Sequence, residues 1–100
     1  MKEIKKHLAE IKSLCARHKV KRLFVFGSVL TGRFDKDSDI DIIVEISSKN
    51  PFEYSDNYFE LKSQLERLFK RPIDLLEQKM IKNPYLKSEI DQTKVLVYGK

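Results

Sequence analysis

Ile4, Leu8, Ile11 and Cys15, with Leu14 alongside, recur at helical spacing, so residues 3 to 18 are expected to form an amphipathic helix with its charges turned outward. Leu23-Phe24-Val25-Phe26 is a short β-prone run closed by Gly27, and Ile40 to Ile46 is a second, entered from the polar stretch Asp35-Lys36-Asp37-Ser38. Between them Ser28 is placed to cap a short helix that Gly32 would end. After the turn-like Ser47-Ser48-Lys49-Asn50-Pro51, the positions of Tyr58, Leu61, Leu65, Leu68 and Phe69 predict a helix over 54 to 70. Pro72-Ile73-Asp74-Leu75-Leu76 reads as a third strand, with the proline tolerated at its first position. Asn83-Pro84 caps and opens a final helix through Asp91, and Val95-Leu96-Val97-Tyr98 is a last strand. The expected order is α-β-α-β-α-β-α-β, an α/β unit whose continuous apolar strands call for helices over both faces of the sheet.

Composition narrows this picture without changing it. One hundred residues, 41% hydrophobic and 35% charged, suit one compact domain spanning residues 1–100. No apolar run approaches the roughly 18 to 20 residues of a membrane span, and the amphipathic start is unlike a secretory signal, so the expectation is a cytoplasmic protein. Cys15 is the single cysteine; it excludes an internal disulfide and a cysteine-based zinc site and belongs to the apolar stripe of the first helix. His7 and His18 lack neighbours spaced as metal ligands or as a catalytic couple. The net charge of +5 is concentrated: residues 1–22 hold eight Lys or Arg against Glu3 and Glu10, whereas the remainder is close to balanced. That excess reads as the wet face of a surface helix rather than as a nucleic-acid patch. Apolar surface on so small a domain also points to association with a second copy or a partner protein.

The chemistry is concentrated between Gly27 and Asp41. Alternation along a strand sends Asp39 and Asp41 to the same face with Cα atoms about 6 to 7 Å apart, while Ile40 points the other way. Two carboxylates so placed repel, and hard oxygen ligands of this kind suit Mg²⁺. Asp74 is the sole acid in Ile73-Asp74-Leu75-Leu76; burying it without a partner would be costly, which suggests that it joins the other two from a neighbouring strand. Three acids around divalent ions resemble the apparatus of in-line phosphoryl or nucleotidyl transfer. Gly27 at a strand end lets the backbone approach phosphate closely, and the Ser28 hydroxyl and following amides can donate to phosphate oxygens. The alternative of a P-loop, suggested by Gly27-x-x-x-x-Gly32-Arg33, fails at Phe34, where a metal-binding hydroxyl is required.

The pair Gly27-Ser28, ten intervening residues and then Ser38-Asp39-Ile40-Asp41-Ile42 resemble the hallmark of the DNA polymerase beta-like nucleotidyltransferase superfamily, and the chain's size and later Asp74 are similar to its minimal nucleotidyltransferase branch. The resemblance implies a small mixed β-sheet flanked by helices, with Mg²⁺ held by Asp39, Asp41 and Asp74, the last also taking the acceptor's proton. It also implies nucleotide phosphates held by Gly27 and Ser28, ATP as donor, and a HEPN-domain toxin as the partner whose tyrosine receives AMP. Thr31 stands where many relatives carry arginine; Arg33, just after Gly32, is the substitute guanidinium for the phosphates. The other expectation is a non-catalytic antitoxin-like module that inhibits its partner by occlusion.

Overall fold

The computed structural model describes residues 2–27 and 39–99. Its elements are α1 (Lys2–Lys6), α2 (Leu8–Arg17), β1 (Val20–Phe26), β2 (Ile40–Ile46), α3 (Pro51–Phe69), β3 (Ile73–Glu77), a 3₁₀ turn (Gln78–Met80), α4 (Pro84–Thr93) and β4 (Val95–Tyr98). The sheet runs β3-β2-β1-β4; β1 is antiparallel to both neighbours and β3 is parallel to β2, so the sheet is mixed. A parallel step needs a long crossover, and α3 supplies it. The expected helix between Ser28 and Gly32 lies outside the described residues. Among those residues no helix is long and apolar enough to cross a membrane.

Each face of the sheet is covered by different elements. Leu23 and Val25 of β1, Ile40, Ile42 and Val44 of β2, and Ile73 and Leu75 of β3 turn to a large cluster with Ile4, Ile11, Cys15, Leu61, Leu65 and Phe69 of the first three helices. The alternate residues Phe24 and Ile43 meet Ile90 of α4 on the other face, with Phe26, Leu76 and Ile81 packed around them. This arrangement explains why β2 is apolar at nearly every position. Cys15 is fully buried, and burial pushes its thiol up to about 12, which leaves it an inert apolar side chain.

Boundaries differ from the sequence expectation at several elements, β3 among them, which runs Ile73–Glu77 rather than Pro72 to Leu76. The first helix is two helices, because at His7 the backbone N–H tightens onto the Ile4 carbonyl (3.2 Å) and the imidazole turns edge-on to Phe69, ring centroids 5.2 Å apart. β1 begins at Val20 rather than Leu23, since Arg22 is held by Glu45 directly across the ladder (2.9 Å). α3 begins at Pro51 rather than residue 54: the Asn50 side chain accepts from the N–H groups of Phe52 and Glu53, and proline occupies the first turn. Asn83-Pro84 opens α4 identically, as the sequence predicts, but the helix continues to Thr93.

α3 also seals the outer edge of β3. The Tyr58 hydroxyl donates to the Leu75 carbonyl, and Glu66 accepts from the Ile73 N–H at 3.2 Å, two groups that β3 turns away from β2. Just beyond, the 6% exposed Glu77 accepts from the Tyr54 hydroxyl at 2.7 Å and the Ile46 N–H at 3.4 Å. An acid buried at a strand end is thereby hydrogen-bonded rather than ion-paired.

Leu65 is completely buried in the larger cluster, so Leu65→Ala is expected to cost about 2–5 kcal/mol of stability. Asn50→Ala, which removes only the cap, is expected to cost about 1 kcal/mol. Urea denaturation of both variants checks the contrast.

Candidate functional site

The register of three strands assembles the site. Phe26 of β1 lies opposite Asp41 of β2, and Asp41 lies opposite Asp74 of β3. In-register neighbours share a face. Ile40 and Ile42 face the larger cluster, so Asp41 and Asp74 point to the opposite side, the one covered farther along by Phe24, Ile43 and Ile90. Asp41 is half-buried, Asp74 is exposed, and Asp39 is exposed one residue before β2 begins.

These positions dictate the electrostatics. The Asp41 carboxyl is pushed up to about 6, first by burial, then by the negative charges of Asp74 and Asp39, and by a hydrogen bond with Asp74. Two carboxyl groups can share a hydrogen bond only when a proton lies between them, so the pair binds either a proton or a cation in its place. Hard oxygen donors brought together against their own repulsion fit a divalent ion such as Mg²⁺. Among the described residues, however, no three or more His, Cys, Asp or Glu side chains are gathered as a metal cage. Asp41 and Asp74 form the joined pair, and Asp39 acts on it through its charge.

Gly27 closes the site from the end of β1. Its φ of +78° is a left-handed backbone conformation, and a Cβ there would collide with the Asp41 Oδ2 and lie 3.3 Å from its Cγ. The missing side chain is therefore the space that the Asp41 carboxylate occupies. Ser28, Arg33 and Thr31 lie outside the described residues. The sequence argument for Asp74, that a buried acid demands a partner, is corrected: Asp74 is exposed, Asp41 is the acid raised by burial, and strand register brings them together. Phe26, half-buried beside Asp41, went unmarked as a site residue, although counting residues along the paired strands would have found it.

Residues 4–97 match the family model described as nucleotidyltransferase domain. A Methanocaldococcus jannaschii protein, MJ1379, whose name provisionally assigns it as a protein adenylyltransferase, is 37% identical over 92% of this chain and 99% of its own. A solved minimal nucleotidyltransferase, itself provisionally so named, superposes with a TM-score of 0.75 at 28% identity, covering 92% of this chain and 90% of that one. A chain from the complex of a tri-AMPylated Shewanella oneidensis HEPN toxin with its MNT antitoxin superposes at 0.68 with 19% identity, over 96% of this chain and 72% of that one, a likeness of fold.

Because the Asp41 carboxyl lies near 6 in the folded chain against 3.8 ordinarily, the native state holds a proton that the unfolded chain has released between those values. Stability without divalent ions is therefore expected to be greatest below pH 4 with respect to this group and to fall as pH rises through 6. Asp41→Asn should remove that fall and melt higher than the parent at pH 8. Thermal melts from pH 4 to 8 in chelator provide the check.

Proposed function

The chain belongs to the nucleotidyltransferase domain family, and from that we propose that it is a Mg²⁺-dependent protein adenylyltransferase moving AMP from ATP to a hydroxyl, a tyrosine of a partner HEPN toxin. The observation that carries this reading is the single ladder step between Asp41 and Asp74, with Gly27 opened to admit the Asp41 carboxylate. The adenylyltransferase name of the M. jannaschii relative supports the reaction, and the AMPylated HEPN toxin in the Shewanella complex supports the acceptor.

Each residue has a distinct task. Asp41, seated in the central strand and half-buried, is the fixed anchor of the acid pair, with Asp39 adding charge at the strand entrance. Mg²⁺ held by Asp39, Asp41 and Asp74 would neutralise phosphate charge and steady the attacking and leaving oxygens. Asp74, the exposed member, is open to an acceptor arriving from solvent and takes the hydroxyl proton. The hydroxyl oxygen then bonds to the α-phosphorus, the bond from that phosphorus to the bridging oxygen breaks, and pyrophosphate departs. Gly27 brings bare backbone to the mouth of the site, where Ser28 and Arg33 would receive the phosphates.

Intact-mass measurement of the HEPN partner after incubation with ATP, Mg²⁺ and a trace of this protein is expected to show added AMP units on an excess of partner. Asp41→Asn or Asp74→Asn should slow the transfer by about 10²-fold or more, and chelation should stop it. Inhibition of the toxin only at equimolar protein, without a mass change, would establish occlusion and overturn the catalytic reading.

A further inference from the structure

We infer that the cavity between α3 and the outer edge of β3 receives the aromatic ring of the acceptor residue and presents its hydroxyl to Asp74; the inference deepens the nucleotidyl-transfer reading above and rests on it. The cavity has a volume of about 330 Å³, within the usual range of small-molecule sites, roughly 300 to 1,000 Å³. Three elements line it: Tyr54, Tyr58 and Phe59 of α3, Leu76 of β3, and Met80 of the 3₁₀ turn. Phe59 and Met80 are 65% and 66% exposed, so two large apolar side chains of its wall are left mostly in water, as at a surface that awaits a guest.

Asp74 stands at one end of this cavity. The ring of Tyr58 is part of the wall, and its hydroxyl donates to the carbonyl of Leu75, the residue that follows Asp74. Leu76 lies on the face of the sheet that Asp74 occupies, one pleat repeat or about 7 Å along β3, and it too lines the cavity. The acid acts on the wall through its charge as well: burial first, then the charges of Asp74 and Glu77, raise the Tyr58 hydroxyl above its ordinary value.

The geometry of transfer calls for a recess on this side. Attack at phosphorus sets the attacking and leaving oxygens roughly in line. β1 and β3 flank β2, so Gly27 at the end of β1 and Asp74 on β3 lie on either side of Asp41. With the phosphates departing past Gly27, the acceptor arrives from β3, the edge of the sheet, where the cavity is. Its walls suit a ring. Tyr54 and Tyr58 are stacked with centroids 6.4 Å apart, and Phe59 meets Tyr58 edge-on at 5.1 Å. Glu77 and the Leu75 carbonyl engage the two tyrosine hydroxyls, so the guest is offered ring carbons rather than hydrogen-bonding groups. An aromatic side chain packs offset or edge-to-face against such rings, whereas a serine side chain would leave the space unfilled.

Steady-state transfer of AMP from ATP and Mg²⁺ to the HEPN partner, measured for the parent, Ser55→Trp and Met80→Ala, tests the inference. Ser55 lines the cavity from an exposed position on α3, so tryptophan there fills the space from outside the core. The partner's KM is expected to rise about tenfold or more in Ser55→Trp and about threefold in Met80→Ala, while the Kd for ATP, read by calorimetry, stays within about twofold. N-acetyltyrosinamide should compete with the partner but not with ATP, with a Ki about tenfold or more below that of N-acetylserinamide, and Ser55→Trp should abolish the competition. An unchanged partner KM in Ser55→Trp, no competition by the tyrosine amide, or equal competition by the two amides overturns the inference. A loss of ATP affinity matching the loss for the partner overturns it in favour of the adenine ring as the guest. If Ser55→Trp does not fold, Met80→Ala decides, and a parental partner KM in that variant overturns the inference. A parent that places no AMP on the partner overturns the nucleotidyl-transfer reading itself, whereas an active parent with an indifferent Ser55→Trp overturns only the role of the cavity.

Discussion

Two carboxyl groups held on neighbouring strands, one ladder step apart, are the constraint from which the rest of the molecule follows. Left to themselves they repel, and only the parallel register of β2 and β3 keeps Asp41 opposite Asp74. That register is maintained by apolar packing elsewhere: Ile40, Ile42 and Val44 of β2 and Ile73 and Leu75 of β3 are sunk in the larger cluster under the helices. A slip of β3 by one residue would turn Ile73 and Leu75 to the opposite face, a far greater loss than the repulsion saved. The hydrophobic side of the sheet thus supports an unfavourable arrangement on the other side.

The same logic explains why the strain falls where it does. Asp41 occupies the middle of the row, next to Phe26 and with Asp74 beyond, and so bears both burial and like charge. Gly27 yields its side chain to make room, and its positive φ turns the chain out of β1 beside the carboxylate. Local rules of strand and turn are broken at the place where chemistry is expected, and consistency is restored a few residues away. Elsewhere the buried polar groups are resolved conventionally, as Glu77 shows by accepting from Tyr54 and Ile46.

Much of this was legible in the chain because period-2 and period-3.6 patterns are local properties. Ile40–Ile46 and Val95–Tyr98 are strands with the expected bounds, and the apolar spacing of Leu61, Leu65 and Phe69 is the buried stripe of α3. α3 starts ahead of the expected position because Asn50-Pro51 reads equally as a turn or as a cap, and only the bonds from Phe52 and Glu53 decide. β1 begins three residues before the apolar run Leu23–Phe26, since Arg22 pairs with Glu45 across the ladder and so belongs to the strand despite its charge. The acidic pair was anticipated from residue types, but through the wrong premise, since the burial belongs to Asp41 and not to Asp74. The place of Phe26 beside Asp41 depends on the pairing of strands distant in sequence, and it is legible only once that pairing is known.

The sealing of β3 by α3 bears on how the molecule can associate. Tyr58 and Glu66 occupy backbone groups that an incoming strand would need, so any chain that lengthens this sheet must join beside β4. A sheet that can grow from one margin alone comes to a halt once that margin meets its mirror in a second molecule, and endless fibrils by this route are denied to it. The helix that carries the crossover thereby also sets a ceiling on self-assembly.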